Sequence, residues 1–585
     1  MRLLWFLSAS LALHSAVGAT IAKERRAGTS PTVLTPQFVQ TVQGIIDAGA
    51  IPGLTVGIVS LAGGPPELGA WGINSENGTN MTTDTLFNVA DLSKAFLTAS
   101  LGIVIDDFAH GRNTTALPAG LSNLTWTTKM ADILPNEWKL LDEWASEKAN
   151  LIDVLTQVTG VASNDYSYKQ NDTVSYITGN LRNFRPSYEL REQWLNNNQM
   201  YMAGAYVVSK LTGQQYTDFV TNRIFKPLGM NSSTYSINEA LQTGRFSDTW
   251  TPLGENTAHS VGIPRLVPPW IQEEFVDLVA GTAGVISCAE DMARHTLWLG
   301  MILNGGVDPV SNVTIIPSAQ FKVITQAHSI VNSSDVSAQE STNLYGLGWH
   351  RDSYEGHDVL VHNGDAPGVT TFIAAALEDG VGFIVLANAD TKDAALVNIT
   401  LTAAAIAFGS EGSSSSPSAA SRRSKLPRHA SLTARADGSG ETLAPPNVNS
   451  QVGTYYNPGY GSMELCSVNS TSTFCTGIVA DFFTIDKTIN STTPDLFAAW
   501  PALLSTHLRF VYHGNDSYIM YIGFVYPEGY GKNTSSFGTP IFYATTEFVE
   551  ENGKVVGFGW NTFANAVERT GSLEETFDVY FNKVA

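Results

Sequence analysis

Apolar residues at Phe38, Val42, Ile45 and Ile46 recur three and four positions apart, so they share one face of a helix. Thr35 followed by Pro36 supplies an N-cap and a first-turn proline, and the helix is expected over about residues 36–49. Leu54 to Ser60 is then a β-type run, Gly63-Gly64-Pro65-Pro66 a turn, and a second strand continues through Trp71; together they predict a hairpin. Residues 92–107 differ in kind. Leu92, Phe96, Leu97, Leu101, Ile103, Val104 and Ile105 leave no polar face, which marks a helix buried on all sides. Helical and loop-rich sequence continues to about residue 330. Strand character returns at Trp349, Val359 to His362, Thr371 to Ala376 and Gly382 to Ala389, so the sheet is expected to be closed by segments distant in sequence.

Periodicity lapses between about residues 409 and 446. Ser413 to Ser416, Ser421-Arg422-Arg423-Ser424 and Gly438-Ser439-Gly440 are small and polar, as in a flexible linker. Beyond it, stretches such as Leu508-Arg509-Phe510-Val511-Tyr512 and Tyr518-Ile519-Met520 alternate apolar and polar side chains, although Val511 and Ile519 fall where polar residues belong. The 585 residues exceed what one core supports, about 250–300 residues. The expected organisation is a signal peptide over 1–19, a first domain over 28–408, a linker over 409–446 and a β-rich domain over 447–585. The signal peptide rests on Arg2, the apolar run Leu3 to Ala16 and the small residues Val17-Gly18-Ala19.

No later stretch has the roughly 18 consecutive apolar residues of a membrane span, so a secreted, extracellular protein is expected. Asn-x-Ser/Thr sequons at Asn77, Asn80, Asn113, Asn123, Asn171, Asn231, Asn312, Asn332, Asn398, Asn469, Asn490, Asn515 and Asn533 make it a candidate glycoprotein. Of three cysteines, Cys466 and Cys475 lie close enough to bridge, and Cys288, in an apolar run with no basic neighbour, is expected to be buried and inert. A formal charge of −21 repels phosphate backbones and argues against nucleic acid as a partner. No metal-ligand spacing, phosphate-cradling glycine loop or dinucleotide fingerprint stands out, so no cofactor is expected, and no pattern specifies an oligomeric state.

Asp84-Thr85-Leu86-Phe87, Glu143-Trp144-Ala145-Ser146-Glu147, Pro227-Leu228-Gly229-Met230, Tyr345-Gly346-Leu347-Gly348-Trp349 and His362-Asn363-Gly364-Asp365-Ala366-Pro367-Gly368 occur in that order. In these stretches the chain resembles the serine β-lactamase, D-alanyl-D-alanine carboxypeptidase and esterase family, especially its secreted fungal branch with a C-terminal β domain. The resemblance implies an α/β, β-lactamase/transpeptidase-like fold: an antiparallel sheet flanked by helices, an all-helical region, and then a small β-rich domain.

The same resemblance exposes three departures. Family members carry Ser-x-x-Lys at the start of the buried helix, where the lysine takes the serine's proton. Here the four residues are Asp91-Leu92-Ser93-Lys94, so the lysine stays and the nucleophile is a carboxylate. Ser93 cannot replace it, because adjacent helical residues point about 100° apart. Asp91 is instead expected to cap the helix and pair with Lys94. The family's Tyr-x-Asn aligns with Asn196-Asn197-Asn198, which keeps Asn198 but places an amide, Asn196, where the general-base tyrosine belongs. Tyr201, a nearby stand-in, reads as helix core. Gln157-Val158-Thr159-Gly160 lacks the family's histidine. The third motif, His362-Asn363-Gly364, is intact and is expected to bind an anion or carbonyl.

These departures imply a catalytically impaired homologue whose cleft, lined by Asp91, Lys94, Asn196, Asn198, His362 and Gly364, still takes a small ester, amide or peptide-like ligand. The competing readings are a hydrolase, esterase or transacylase rebuilt around Asp91, and a cell-wall or glycan-binding protein using Tyr455, Tyr456, Tyr460, Trp500, Tyr518 and Tyr521.

Overall fold

The computed structural model describes residues 31–253, 262–293, 298–332, 343–410, 447–514, 517–561 and 571–584. The expected signal peptide, nearly all of the expected linker and the sequon at Asn515 lie outside the described residues, as does the side chain of Asn332. Among the described residues no helix is long and apolar enough to cross a membrane.

Helix α1 spans Pro36–Gly49, with the Thr35 side chain accepting from the Phe38 N–H. The hairpin follows as β1 (Gly53–Ser60) and β2 (Glu67–Gly72). The sheet is completed by β3 (Ser329–Asn332), β4 (Asn343–Tyr345), β5 (His350–Tyr354), β6 (His357–Ala366), β7 (Val369–Ala376) and β8 (Val381–Ala387). Its order is β2-β1-β8-β7-β6-β5-β4-β3, and the first strand pairs antiparallel with the last, Leu54 opposite Ala387. Trp349, expected in a strand, sits just before β5 as buried core.

One sheet face is covered by α1 and α5 (Asp393–Phe408), where Phe38, Val42, Ile46, Leu396 and Ile399 meet Leu54, Val56 and Val385. The other face meets the helical region around α2 (Ser93–Ala109), in which every side chain from Ser93 to Ile105 is buried. Helices α3 (Asn198–Thr212) and α4 (Val276–Ala283) pack against it. The approach is close because Gly281 has no side chain: a Cβ there would lie 2.6 Å from the Tyr201 carbonyl oxygen.

The C-terminal domain is a closed eight-stranded barrel of β9 (Gly453–Asn457), β10 (Gly461–Ser467), β11 (Leu496–Ala502), β12 (Ser505–Gly514), β13 (Ser517–Tyr526), β14 (Phe537–Glu551), β15 (Lys554–Asn561) and β16 (Val579–Lys583). Closure removes the exposed edges that an open sheet would present. A helix that the sequence reading missed, α6 (Thr473–Ile485), lies on the barrel's outside and is tied down by the Cys466–Cys475 disulfide. It explains the imperfect alternation, since Val511 and Ile519 pack beneath it with Phe482, Phe497 and Tyr521.

The aromatic set offered as a glycan platform is corrected by burial. Tyr455, Tyr460, Trp500, Tyr518 and Tyr521 are buried in the barrel, and only Tyr456 of that group is exposed. Under α6, the Arg509 guanidinium bridges Asp486 at 2.8 Å and Asp495 at 2.7 Å, with all three side chains almost fully buried. Removing the cation would leave two carboxylates stranded away from water. Arg509→Ala is therefore expected to destabilise the barrel by about 3–5 kcal/mol, read as a lowered melting temperature of the purified protein.

Candidate active site

The site forms where the N-terminal turn of α2 meets β6 and β7. The chain enters through Ala90, held at φ 47°, a left-handed conformation that a residue with a Cβ adopts at a cost. The Asn88 side chain accepts from the Ala90 N–H, and Thr371 on β7 donates to the Val89 carbonyl. Asp91 then lies in a 3₁₀ turn, Ala90–Leu92, and its side chain does not cap α2. The expected capping role is thus corrected, because the 3₁₀ turn moves the start of the α-helix past Asp91. The expected ion pair is present, with Lys94 Nζ 2.7 Å from Asp91 Oδ1.

Ser93 is no substitute nucleophile. Its hydroxyl donates to the Ala90 carbonyl at 2.7 Å and accepts from the Val285 N–H at 3.0 Å, a structural bridge between α2 and the segment after α4. Lys94 is 2% exposed, whereas Asp91 is 25% exposed, so the carboxylate is the member of the pair that faces the opening. The ammonium also donates to Asn196 Oδ1 at 3.2 Å and lies 5.4 Å from the centre of the Tyr201 ring. Asn196 therefore meets the lysine as an acceptor amide. Tyr201 is fully buried, donates to the Leu155 carbonyl and contacts the Tyr345 hydroxyl, and burial raises its phenol well above the ordinary range. It is core, as expected.

Asn198 is held in one orientation. Its amide nitrogen donates to Asp165 at 3.2 Å, its amide oxygen accepts from Thr282 at 2.7 Å, and its backbone N–H donates to Ser163. A carboxylate only accepts and a hydroxyl facing a carbonyl oxygen donates, which fixes the amide's sense. Asp165 is further bonded by Ser163 and Tyr168, and burial raises its carboxyl above the usual range against those bonds. Sequence reasoning did not find Ser163, Asp165 or Thr282, because their approach to Asn198 has no linear signature. Gln157, in the segment where the family's histidine is missing, accepts the Asn197 N–H at 2.6 Å.

β6 delivers the third motif. At Gly364 a Cβ would lie 2.9 Å from the Asp91 nitrogen, so only glycine lets the strand lie against the turn. His362, two residues earlier, shares that face. It is 4% exposed, its Nδ1 donates to the Asn363 carbonyl at 2.7 Å, and its Nε2 has no partner among the described residues. Burial, reinforced by Lys94, lowers its pKa to about 3. The ring is therefore neutral, with a bare acceptor nitrogen. In this arrangement Nε2 has no proton to offer an anion or carbonyl. Cys288 is buried and its thiol is pushed up to about 12 by burial, which agrees with an inert cysteine.

The family model described as beta-lactamase matches residues 38–406. The chain belongs to the beta-lactamase family. Among curated relatives it is similar to the unguisins hydrolase ungD' of Aspergillus campestris, 25% identical over 364 residues, covering 61% of this chain and 62% of that relative. The unguisins hydrolase ungD of Aspergillus violaceofuscus is 20% identical over 375 residues, with 61% and 62% covered. The match thus spans less than two thirds of each relative's length. The octameric penicillin-binding protein homologue from Pyrococcus abyssi has the same fold, with a TM-score of 0.51 and 14% identity over 94% of this chain and 99% of that one.

Behind β6 lies a second set of titrating groups. The Gly368 N–H donates to Asp390 at 3.1 Å, the other Asp390 oxygen is unpartnered, and burial with nearby Asp365 pushes this carboxyl up to about 7. Lys392 donates to the Gly49 carbonyl, and burial lowers it to about 8. An unfolded aspartate ionises near about 3.9. Between about pH 4 and 7 the unfolded chain has therefore released a proton that the folded chain retains, and stability falls as pH rises. Lys392 acts in the opposite direction above about pH 8, where the unfolded chain holds the extra proton. Asp390→Asn is expected to flatten the decline in melting temperature from pH 4 to 7 and, by removing the charge that holds Lys392 up, to begin the alkaline rise at lower pH.

Proposed function

We propose that the protein is a secreted, glycosylated beta-lactamase-family member that has lost acyl transfer and keeps its cleft to bind a small ester, amide or peptide-like ligand. The observation that carries this reading is the Asp91–Lys94 ion pair at 2.7 Å where the family has its serine and lysine. A carboxylate cannot form the family's acyl-ester intermediate with a hydroxyl it lacks, and its attack on an ester would have to expel a more basic alkoxide to give an anhydride, an uphill step. With Asn196 in the tyrosine's place and the Ser93 hydroxyl committed on both sides, no group at the turn replaces the nucleophile and its base.

The relatives named unguisins hydrolases and the 25% exposure of Asp91 favour one second reading, in which Asp91 removes a proton from water as it attacks a bound carbonyl. Hydrolysis of a chromogenic cephalosporin and a short-chain nitrophenyl ester separates the two. The wild type and Asp91→Ala are expected to be silent, and Asp91→Ser is expected to gain turnover if the cleft remains assembled. Wild-type turnover that disappears in Asp91→Ala would establish carboxylate-based hydrolysis instead.

Secretion rests on the N-terminal signal-like sequence. Glycosylation rests on the sequons, whose asparagines are exposed or half-exposed wherever their side chains are described. Enzymatic removal of N-glycans is expected to lower the apparent mass of the protein purified from the medium of a eukaryotic host; an unchanged mass would refute glycosylation.

A further inference from the structure

Lys94, the cation at the turn, is held by Asp91 and Asn196, and both amide ends of Asn198 are occupied. His362 Nε2, by contrast, is buried and has no hydrogen-bond partner among the described residues. A buried polar atom left in that state costs about 1–3 kcal/mol, which a correctly placed donor recovers. The atom lies on the face of β6 that Gly364 presses against the Asp91 turn, so the donor it lacks is one brought to that turn.

The nature of the donor follows from the charges around it. The Nδ1–H bond to the Asn363 carbonyl leaves Nε2 as an acceptor, so it attracts an N–H or O–H and repels a carboxylate oxygen. Asp91 cancels the charge of Lys94, and a second carboxyl, Asp165, lies on the far side of Asn198. An arriving carboxylate would meet a lone pair and a half-exposed carboxylate, with no uncommitted cation among the groups described at this turn. An acceptor nitrogen with no partner among the described residues calls for a ligand N–H or O–H, and an uncharged amide supplies one.

We infer that the cleft selects uncharged amide-bearing ligands and discriminates against ligands that present a free carboxylate to β6. This specificity rests on the reading that the cleft is retained for binding. It separates this chain from any member of its fold that holds a ligand carboxylate with a cationic side chain on the same strand.

The test is calorimetric titration of the full chain with two matched pairs: N-acetyl-D-alanyl-D-alanine and its C-terminal amide, and a cephalosporin and its methyl ester. The uncharged member of each pair is expected to bind at least about tenfold more tightly, the scale of one unfavourable charge contact. Asp91→Asn, which removes the half-exposed negative charge, and His362→Lys, which supplies a donor cation, are each expected to narrow the ratio. Equal binding, preference for the acid, or no binding of either member at millimolar concentration would overturn the inference. Turnover of a probe would instead count against the loss of acyl transfer, and the preference would still be read from the ratio of kcat/KM values.

Discussion

Helix α2 has no polar face, and that constraint organises the first domain. A helix whose side chains from Ser93 to Ile105 are all buried must be enclosed by other segments. Helices α3 and α4 and the turn-facing strands provide the enclosure, so three distant stretches of sequence converge on its N-terminus. Full burial of one Leu, Ile, Val or Phe contributes about 1.5–3 kcal/mol, whereas one hydrogen bond at the site contributes about 1 kcal/mol. Phe96, Leu97, Leu101, Ile103, Val104 and Ile105 therefore outweigh anything that Asp91 can do to the fold. The chemistry of the turn is free to change while the architecture persists.

The changes at the turn fit one another. Asp91 pairs with the lysine that would otherwise lack a serine partner, Asn196 offers that lysine an amide oxygen, and Gln157 accepts the Asn197 N–H. Each of these side chains is left with its polar group satisfied. Such a set satisfies hydrogen bonding where a single substitution, removing one partner only, would strand the other. His362 Nε2 stands outside this pattern, which is why it carries information about a ligand rather than about stability.

The periodic elements were legible in the sequence because each is specified locally. The helix over 36–49, the hairpin, the buried helix and the return of strands after residue 330 stand where the pattern places them, apart from Trp349. Asp91, Lys94 and Asn196 meet at the turn, with Gly364 packed against it. What was not legible depends on tertiary approach. Helix α6 covers a barrel face that alternation alone would expose, and the 3₁₀ turn that takes Asp91 off the N-cap position is set by contacts with Asn88 and Thr371. The protonation of His362 followed from burial and from a backbone carbonyl one residue away, neither of which the motif encodes.

The same reasoning ties the barrel to the site. The loop carrying Ser163 and Asp165 orients Asn198 from one side, and on its other side the barrel holds it: Tyr460 donates to Asn164 at 2.7 Å, Trp500 to the Tyr166 carbonyl at 2.9 Å and the Leu503 N–H to the Tyr168 carbonyl at 3.1 Å. Tyr168 in turn donates to Asp165, so a series of bonds runs from Leu503, just past barrel strand β11, to the amide in the cleft. A loop with few apolar contacts of its own would sample many conformations; fastened on both sides, it presents Asn198 in one. The barrel therefore belongs to the scaffold of the site, because the bonds that fix the orientation of Asn198 end on it.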